Sequence, residues 1–249
     1  MAEGPGRLDL LFLGSGNAFA PEGRAFSSVL VDGRLLFDCG PTVLQQLRRA
    51  GVPSDAIDAV FISHFHGDHF FGLPFLFLDA WHAGRSKDLT IVGPPGIEAR
   101  SEQLMGLAYP SLPAKAPFQR RYQEVADAGD AAAAGAFFSA ASVQHVPSLE
   151  CFAYRVELGG RSLVYSGDTT LCSGLLSLVP DADVVVMECS CAGESVHLSA
   201  EGVAAVARQA SPAAKLVLTH LDGHDHPLID GLLQDGRLIL ASDLARFSF

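Results

Sequence analysis

Ser63-His64-Phe65-His66-Gly67-Asp68-His69 sets three imidazoles and a carboxylate within six consecutive positions, in a chain of 249 residues that holds nine histidines. The run before it, Ala59 to Ser63, is short, apolar and of the length of a buried strand. In extended backbone residues i and i+2 point the same way, so His64 and His66 can share one ion, while a turn at Gly67 re-aims Asp68 and His69 toward a second. The spacing predicts two adjacent metal sites at a strand's end. The bland alternative is a polar loop of solvent-exposed histidines, and remote partners argue against it. His145 follows an alternating strand, Asp168 follows Leu163 to Ser166 through Gly167, and His220 follows Leu216 to Thr219. Singly, each is the kind of residue that caps a strand or bonds its edge. Together they complete two coordination shells.

Outside this stretch the chain reads as alternating strands and helices. Leu8 to Leu13, Ser28 to Val31 and Arg34 to Asp38 are strands, the last two joined by an Asp32-Gly33 hairpin turn. Val43, Leu44, Leu47 and Ala50 recur at helical spacing between Pro41 and Gly51. His69 to Trp81 has the length and composition of one buried helix, with Pro74 inside it. Leu89 to Val92 is a strand, and Gly93-Pro94-Pro95-Gly96 introduces a helix reaching about Leu107. Gln119 to Val125 and Gly135 to Val146 are strands, with the Ala-rich stretch Ala126 to Ala134 a loop between them. Phe152 to Leu158 and Arg161 to Tyr165 pair around Gly159-Gly160. Val184 to Met187, a helix from Ser199 (its N-cap) to Ala210, Leu216 to Leu218 and Arg237 to Leu240 complete the order. Antiparallel strands with intervening helices in both halves predict an α/β protein, a four-layer αββα sandwich in which residues 1–249 form a single domain.

Composition bounds the partners. The chain has 17 Lys+Arg against 28 Asp+Glu, a formal charge of -11 and 49% hydrophobic residues, enough apolar sequence for a core without disulfides or a structural metal. Even the Phe70 to Ala80 run contains Gly72, Pro74 and Asp79, so no stretch approaches a membrane helix and no membrane partner is expected. Arg7, Leu8 to Leu13 and Ala18-Phe19-Ala20 imitate a signal peptide, but the apolar run is short and interrupted by Asp9. Five cysteines without framework spacing suit a reducing compartment, which makes the cytoplasm the expected location. Net acidity argues against a large nucleic-acid footprint, and the densest basic cluster, Lys115, Arg120 and Arg121, reads as a solvated loop. The aromatic surface of Phe70 to Trp81 exceeds what one helix face buries, which a homodimer or the core itself would absorb.

The run His64 to His69 carries the H-x-H-x-D-H signature complete, and the chain thereby resembles the metallo-beta-lactamase-fold hydrolases. Leu13-Gly14-Ser15-Gly16, Leu36-Phe37-Asp38-Cys39-Gly40, His69-Phe70-Phe71-Gly72-Leu73-Pro74 and Ser166-Gly167-Asp168-Thr169 are similar to the ribonuclease Z-like group within them, over nearly the whole chain. The resemblance implies one zinc on His64, His66 and His145, a second on Asp68, His69 and His220, and Asp168 as the bridge. Ligand type also admits manganese or iron. Two such ions about 3.5–4 Å apart lower the pKa of a shared water and clamp the attacking and leaving oxygens of a phosphodiester. They leave the centre cationic despite the acidic surface. The resemblance further implies that Asp68 accepts a proton from the attacking water. His197, in His197-Leu198-Ser199, matches the group's His-Ser-Thr loop and becomes the general acid. Glu188, in Met187-Glu188-Cys189-Ser190, matches the acidic residue of its His-Glu-Ala-Thr motif and would orient His197, with Met187 replacing that motif's histidine. The plain alternative for this pair is a surface cap and a strand-end carboxylate.

Three features depart from the group. Its P-x-K-x-R loop is Pro21-Glu22-Gly23-Arg24-Ala25 here, its long Gly- and Pro-rich arm is replaced by the direct return Gly159-Gly160, and its Ser-x-Arg-Tyr type sequence is Leu221 to His226. These differences point from tRNA toward a small or short phosphoester, such as a cyclic nucleotide or short oligonucleotide, cleaved by a dinuclear-zinc phosphodiesterase. Alternatives are a tRNA 3′-end endonuclease whose grip comes from elsewhere, a lactone, thioester or lactam hydrolase, and a non-enzymatic metal-binding scaffold. Cys189 and Cys191 read as ordinary buried thiols, and His224 and His226 as loop histidines.

Overall fold

The computed structural model describes residues 6–110, 117–190, 195–221 and 226–249. Its first half runs β1 (Asp9–Gly14), β2 (Ser28–Val31), β3 (Leu35–Phe37), α1 (Val43–Ala50), β4 (Ala59–Phe61), α2 (Gly67–Phe70), α3 (Leu73–His82), β5 (Leu89–Gly93), α4 (Ile97–Ala108) and β6 (Arg120–Glu124). The second half runs β7 (Gly129–Ala133), β8 (Ala136–Val143), β9 (Cys151–Leu158), β10 (Arg161–Tyr165), α5 (Ser173–Leu178), β11 (Val184–Glu188), α6 (Ala200–Gln209), β12 (Lys215–Thr219), α7 (Pro227–Gln234), β13 (Leu238–Leu240) and β14 (Arg246–Ser248). One sheet has the order β14-β1-β2-β3-β4-β5-β6, the other β13-β12-β11-β10-β9-β8-β7.

The central strands are apolar on both faces because each sheet is covered twice. Leu35, Phe37, Ala59 and Phe61 of the first sheet meet Tyr154, Tyr165, Val184 and Val186 of the second in the central core. Their alternates, Leu36 and Val60, pack against α1 and α3, while Val185 and Met187 pack against α5 and α6. Three apolar interfaces, one between the sheets and one outside each, make the αββα sandwich that the element order predicted. Phe37 stacks on Phe61 with centroids 4.9 Å apart, and Tyr154 and Tyr165 meet them edge-on or tilted from the opposite sheet.

Strand direction places the site. In the first sheet β3 and β4 are parallel, and β1 reaches the same direction through antiparallel β2. In the second, β10, β11 and β12 are parallel and β8 matches them through antiparallel β9. Their carboxyl ends therefore collect along one edge, where open α/β sheets bind ligands. Half of this pairing is parallel, which corrects the wholly antiparallel reading of the strands.

Other differences have local causes. The expected helix His69 to Trp81 is two, because Gly72 N donates to Cys39 O at 2.7 Å and Cys39 N to His69 O at 2.7 Å, pinning a break between α2 and α3. The Ala126 to Ala134 stretch is not all loop: Ala134 and Gly135 both have positive φ, a hairpin turn that pairs β7 with β8. The elements α5, α7 and β14 have no counterpart among those expected from the sequence. Ser199 caps α6 as expected, accepting from Gly202 N at 3.2 Å. No helix among the described residues is long and apolar enough to cross a membrane.

Candidate metal centre

All nine candidate site residues converge at this edge. His64 and His66 follow β4, Asp68 and His69 lie on α2, His145 follows β8, Asp168 follows β10, Glu188 ends β11, His220 follows β12, and His197 precedes α6. The ligand atoms of His64, His66, His145 and Asp168 lie within 4.8 Å of one another, as do those of Asp68, His69 and His220. Asp168 stands between the sets. Its Oδ1 is 3.4 Å from His69 Nε2, and its Oδ2 is 3.3 Å from His220 Nε2, 3.8 Å from His145 Nε2 and 3.9 Å from His64 Nε2. Gly167 makes this placement by its left-handed φ of 55°, and a Cβ there would meet Ser63 Cβ at 2.6 Å.

The donor chemistry fits cations. His66 Nδ1 lies 3.0 Å from His64 Nε2 and 3.2 Å from His145 Nε2, so ring nitrogens face ring nitrogens. Nε2 of His69, Nε2 of His220 and Oδ1 of Asp168 are buried and make no hydrogen bond. Buried polar atoms aimed at one another without partners are costly, and a bound cation removes that cost. Opposite nitrogens are held outside the cluster: His64 Nδ1 by Ser63 Oγ at 2.9 Å, His69 Nδ1 by Asp38 Oδ2 at 2.7 Å, and His145 Nδ1 by Val196 O at 2.8 Å. In His69 and His145 an N–H donated outward leaves Nε2 as the inward ligand atom.

Protonation agrees with this division. Burial holds His64, His66 and His145 below the ordinary imidazole range, helped for His64 by the charge of His69, so this set is neutral and ready to ligate. Burial opposes ionisation of Asp68 and Asp168, but His69 and His220 overcome it and hold both carboxyls low. Burial likewise opposes charge on His69 and His220, and the surrounding carboxylates raise both. Burial pushes Glu188 up to about 7 against the pull of His197. Glu188 Oε1 accepts from Thr169 N at 2.7 Å, and both carboxylate oxygens lie 2.9 Å from His197 Nδ1.

Two parts of the site have no role in the sequence reading. Asp38 is buried and accepts from Ser63 N at 2.8 Å, Ser63 Oγ at 2.9 Å, His69 Nδ1 at 2.7 Å and Tyr165 Oη at 2.7 Å. Its signal was present in the Leu36 to Gly40 motif, but nothing local shows which histidine it holds. The loop after β1 brings Asn17, Ala18 and Phe19 to a cavity of about 220 Å³ shared with His66, Asp68, His145, Asp168, His197 and His220. Of the remaining candidates, His226 caps α7 through Leu228 N at 3.3 Å, as a loop histidine would. Arg120 pairs with Glu102 and Arg121 with Asp88 at the surface. Lys115, Cys191 and His224 lie outside the described residues.

A buried His/Asp cluster at the strand ends of an αββα sandwich defines a metal-dependent hydrolase. The beta-lactamase superfamily domain matches residues 33–221, and the chain belongs to the metallo-beta-lactamase-fold hydrolases, in their ribonuclease Z-like group. Ribonuclease Z of Methanosarcina mazei is 30% identical over 299 aligned positions that cover 95% of this chain and 96% of that protein. Among solved structures, the metallo-beta-lactamase fold protein YhfI from Bacillus subtilis superposes with a TM-score of 0.78 at 22% identity, covering 98% of this chain and all of that one. The short form of human tRNase Z superposes with a TM-score of 0.74 at 25% identity, covering 96% of this chain and 98% of that one.

Proposed function

We propose that this hydrolase is a dinuclear-zinc phosphodiesterase acting on a small or short phosphoester. The observation that carries the reading is His197, held by buried Glu188, lining the same cavity as members of both candidate ligand sets, which is the arrangement a proton donor to a leaving oxygen needs. His64, His66 and His145 would hold one ion, Asp68, His69 and His220 the other, and Asp168 would join them; manganese or iron would suit the same donors. Bound there, two divalent ions supply nucleophile from water at neutral pH and offset charge on the phosphoryl oxygens. Asp38 and Val196 O keep His69 and His145 aimed inward. Asp68 faces the cavity as a proton acceptor, and His197, steered by Glu188, delivers a proton to the departing oxygen.

A small substrate is supported by what surrounds the centre. The alignment with the archaeal ribonuclease Z spans 50 more positions than this chain has residues, in keeping with the missing arm. Arg120 and Arg121 are held by carboxylates, and no Lys or Arg lines the described cavity. The tRNA 3′-end endonuclease reading rests on the ribonuclease Z relatives, and the lactone or thioester reading on the generality of metal-assisted attack. Cys39, Cys151 and Cys172 are buried thiols, which supports a reducing, cytoplasmic setting. Of the aromatic run, Phe70 and Phe77 are core while Phe71, Phe75 and Trp81 are exposed, which supports a homodimer; a sedimentation mass of one chain would overturn it.

The test is metal content together with hydrolysis of bis(p-nitrophenyl) phosphate. We expect two ions per chain, activity abolished by Asp168→Ala, and kcat lowered roughly 10²–10⁴-fold by His197→Ala with metal retained. Metal binding without diester hydrolysis sinks the phosphodiesterase reading and sends the protein to lactone and thioester panels. Tight, salt-sensitive tRNA binding favours the endonuclease, and absence of metal overturns the mechanism.

A further inference from the structure

Phe19 is 83% exposed, the most exposed large hydrophobic side chain among the described residues, and it stands in the wall of the cavity that holds the metal ligands. An exposed aromatic on a mobile surface loop would need no explanation. This loop is tied down at both of its ends. Gly16 bridges to Phe26 and to Leu221, linking the loop to both sheets. Asp243 accepts from Ser15 N at 3.0 Å, Ser15 Oγ at 2.9 Å and Ala25 N at 2.8 Å, and Arg24 Nη1 donates to Ser15 Oγ at 3.1 Å. Within it Asn17 Oδ1 accepts from Phe19 N at 3.0 Å and Ala20 adopts a left-handed φ of 47°. Between those ends the loop turns on its own hydrogen bonds and presents the ring outward beside the candidate metal centre.

The rest of the wall states what would cover it. Beside the imidazoles, the carboxylates, Asn17 and Ser190, the cavity is lined by Ala18, Phe19, Val146 and Val196, an apolar flank with no Lys or Arg among the described residues. Further phosphates, or the backbone of a long nucleic acid, would find nothing to neutralise them here beyond the metals. A neutral planar group would find an aromatic face. At about 220 Å³ the cavity is smaller than the roughly 300–1,000 Å³ of drug-sized ligand pockets, room for one ring beside one phosphoryl group.

We infer that Phe19 is a specificity-determining residue: it stacks on a single aromatic ring esterified to the reacting phosphoryl group, so that the substrates are aryl phosphodiesters and not alkyl ones. This inference rests on the phosphodiesterase reading and narrows it. Ring stacking on an aromatic side chain of a nucleic-acid binding groove is sequence-tolerant, and its loss weakens binding about 5- to 150-fold per base.

The experiment titrates phenyl phosphate and methyl phosphate into the metal-loaded protein by calorimetry, with wild type, Phe19→Ala and Phe19→Trp, alongside hydrolysis of bis(p-nitrophenyl) phosphate. Wild type should bind phenyl phosphate at least about fivefold more tightly than methyl phosphate. In Phe19→Ala that ratio should fall to about one, with the diester's KM raised more than its kcat is lowered, and in Phe19→Trp the preference should return. A phenyl preference that survives Phe19→Ala, or that wild type never shows, overturns the role of Phe19 while diester hydrolysis keeps the phosphodiesterase reading standing. If neither phosphate binds and the diester is untouched although both metals are present, the phosphodiesterase reading falls and this inference with it.

Discussion

Replacing Asp38 by Asn keeps the side chain's size and its tolerance of the left-handed backbone found there, φ 57°, but removes the charge on which four donors converge. The new amide has one accepting oxygen, so its NH2 must turn toward either Ser63 N–H or the three donors gathered on Oδ2. Hydrogen bonds to a charged partner contribute about 1.5–3 kcal/mol each, and a buried donor left without an acceptor costs about 1–3 kcal/mol. One bond forfeited and three weakened should cost the metal-free protein about 3 kcal/mol, read by urea unfolding after treatment with a chelator. Tyr165→Phe serves as the control, because it removes one donor to Asp38 and leaves the His69 bond in place; it should cost about 1–2 kcal/mol. Zinc affinity, measured by competition with a chromogenic chelator, separates the two variants. Losing the carboxylate that orients a ligating histidine costs about 10–100-fold in affinity, so Asp38→Asn should fall by that factor and Tyr165→Phe should stay near wild type. Wild-type zinc affinity in Asp38→Asn would refute the claim that this carboxylate aims His69. An equal loss in both variants would show that Asp38 acts through general packing of the central core.

Two further predictions concern the break after α2 and the buried carboxyl at the end of β11. A Cβ on Gly72 would sit 2.1 Å from Gly40 O and 2.7 Å from Cys39 O, backbone atoms that cannot yield, so Gly72→Ala should cost about 3 kcal/mol or more. Gly106 in α4 has open space around it, and Gly106→Ala should instead add about 0.5–1 kcal/mol; equal melting temperatures for the two variants would refute this contrast. Glu188, pushed up to about 7 by burial, binds its proton more tightly in the folded chain than at its ordinary value of 4.5. Its contribution to metal-free stability is thus present in full below about pH 4.5 and lost as pH rises through about 7. Glu188→Gln removes that titration, so between pH 5 and 8 its melting temperature should gain on wild type by on the order of 5 °C, and parallel melting curves across that range would show that Glu188 ionises freely.

The candidate metal ligands were legible because four of them fall within six residues, His64 to His69, and the others follow recognisable strands. Asp38 was present in a quoted motif but without a role, since its partners come from elements distant in sequence: Ser63 through the pairing of β3 with β4, His69 from α2 and Tyr165 from the opposite sheet. The register Leu35↔Ala59 and Phe37↔Phe61 is what sets the residue after one strand beside Ser63 after the other. Strand direction was hidden for a related reason. Val184-Val185-Val186-Met187 is buried on both faces, Val184 and Val186 in the central core and Val185 and Met187 outside it, so no alternation of polarity marks either its faces or its neighbours. The split of His69 to Trp81 depends on Cys39 and Gly40, thirty residues away in sequence, and no helical periodicity could show it.

The centre is built by interrupting strand geometry at corresponding points. Asp38 follows β3, Gly167 follows β10 and His220 follows β12, with left-handed φ values of 57°, 55° and 53°. A chain that continued extended past these points would send successive side chains to opposite faces, and the carboxylates and imidazoles would not meet. Only Gly167 adopts this conformation without steric cost, which is why the sequence exposes that turn and conceals the other two. Asp38 is compensated by its four donors. His220 is followed by Leu221, whose N–H donates to Ser15 O at 2.9 Å and so locks the turn to the loop that carries Phe19. Strain held in this way is over-determined by its surroundings, as it tends to be at functional sites. The same bond that steadies the turn at His220 also fastens Ser15 at the start of the loop that carries Phe19, so the candidate ligand and one wall of the cavity are joined through a single backbone contact.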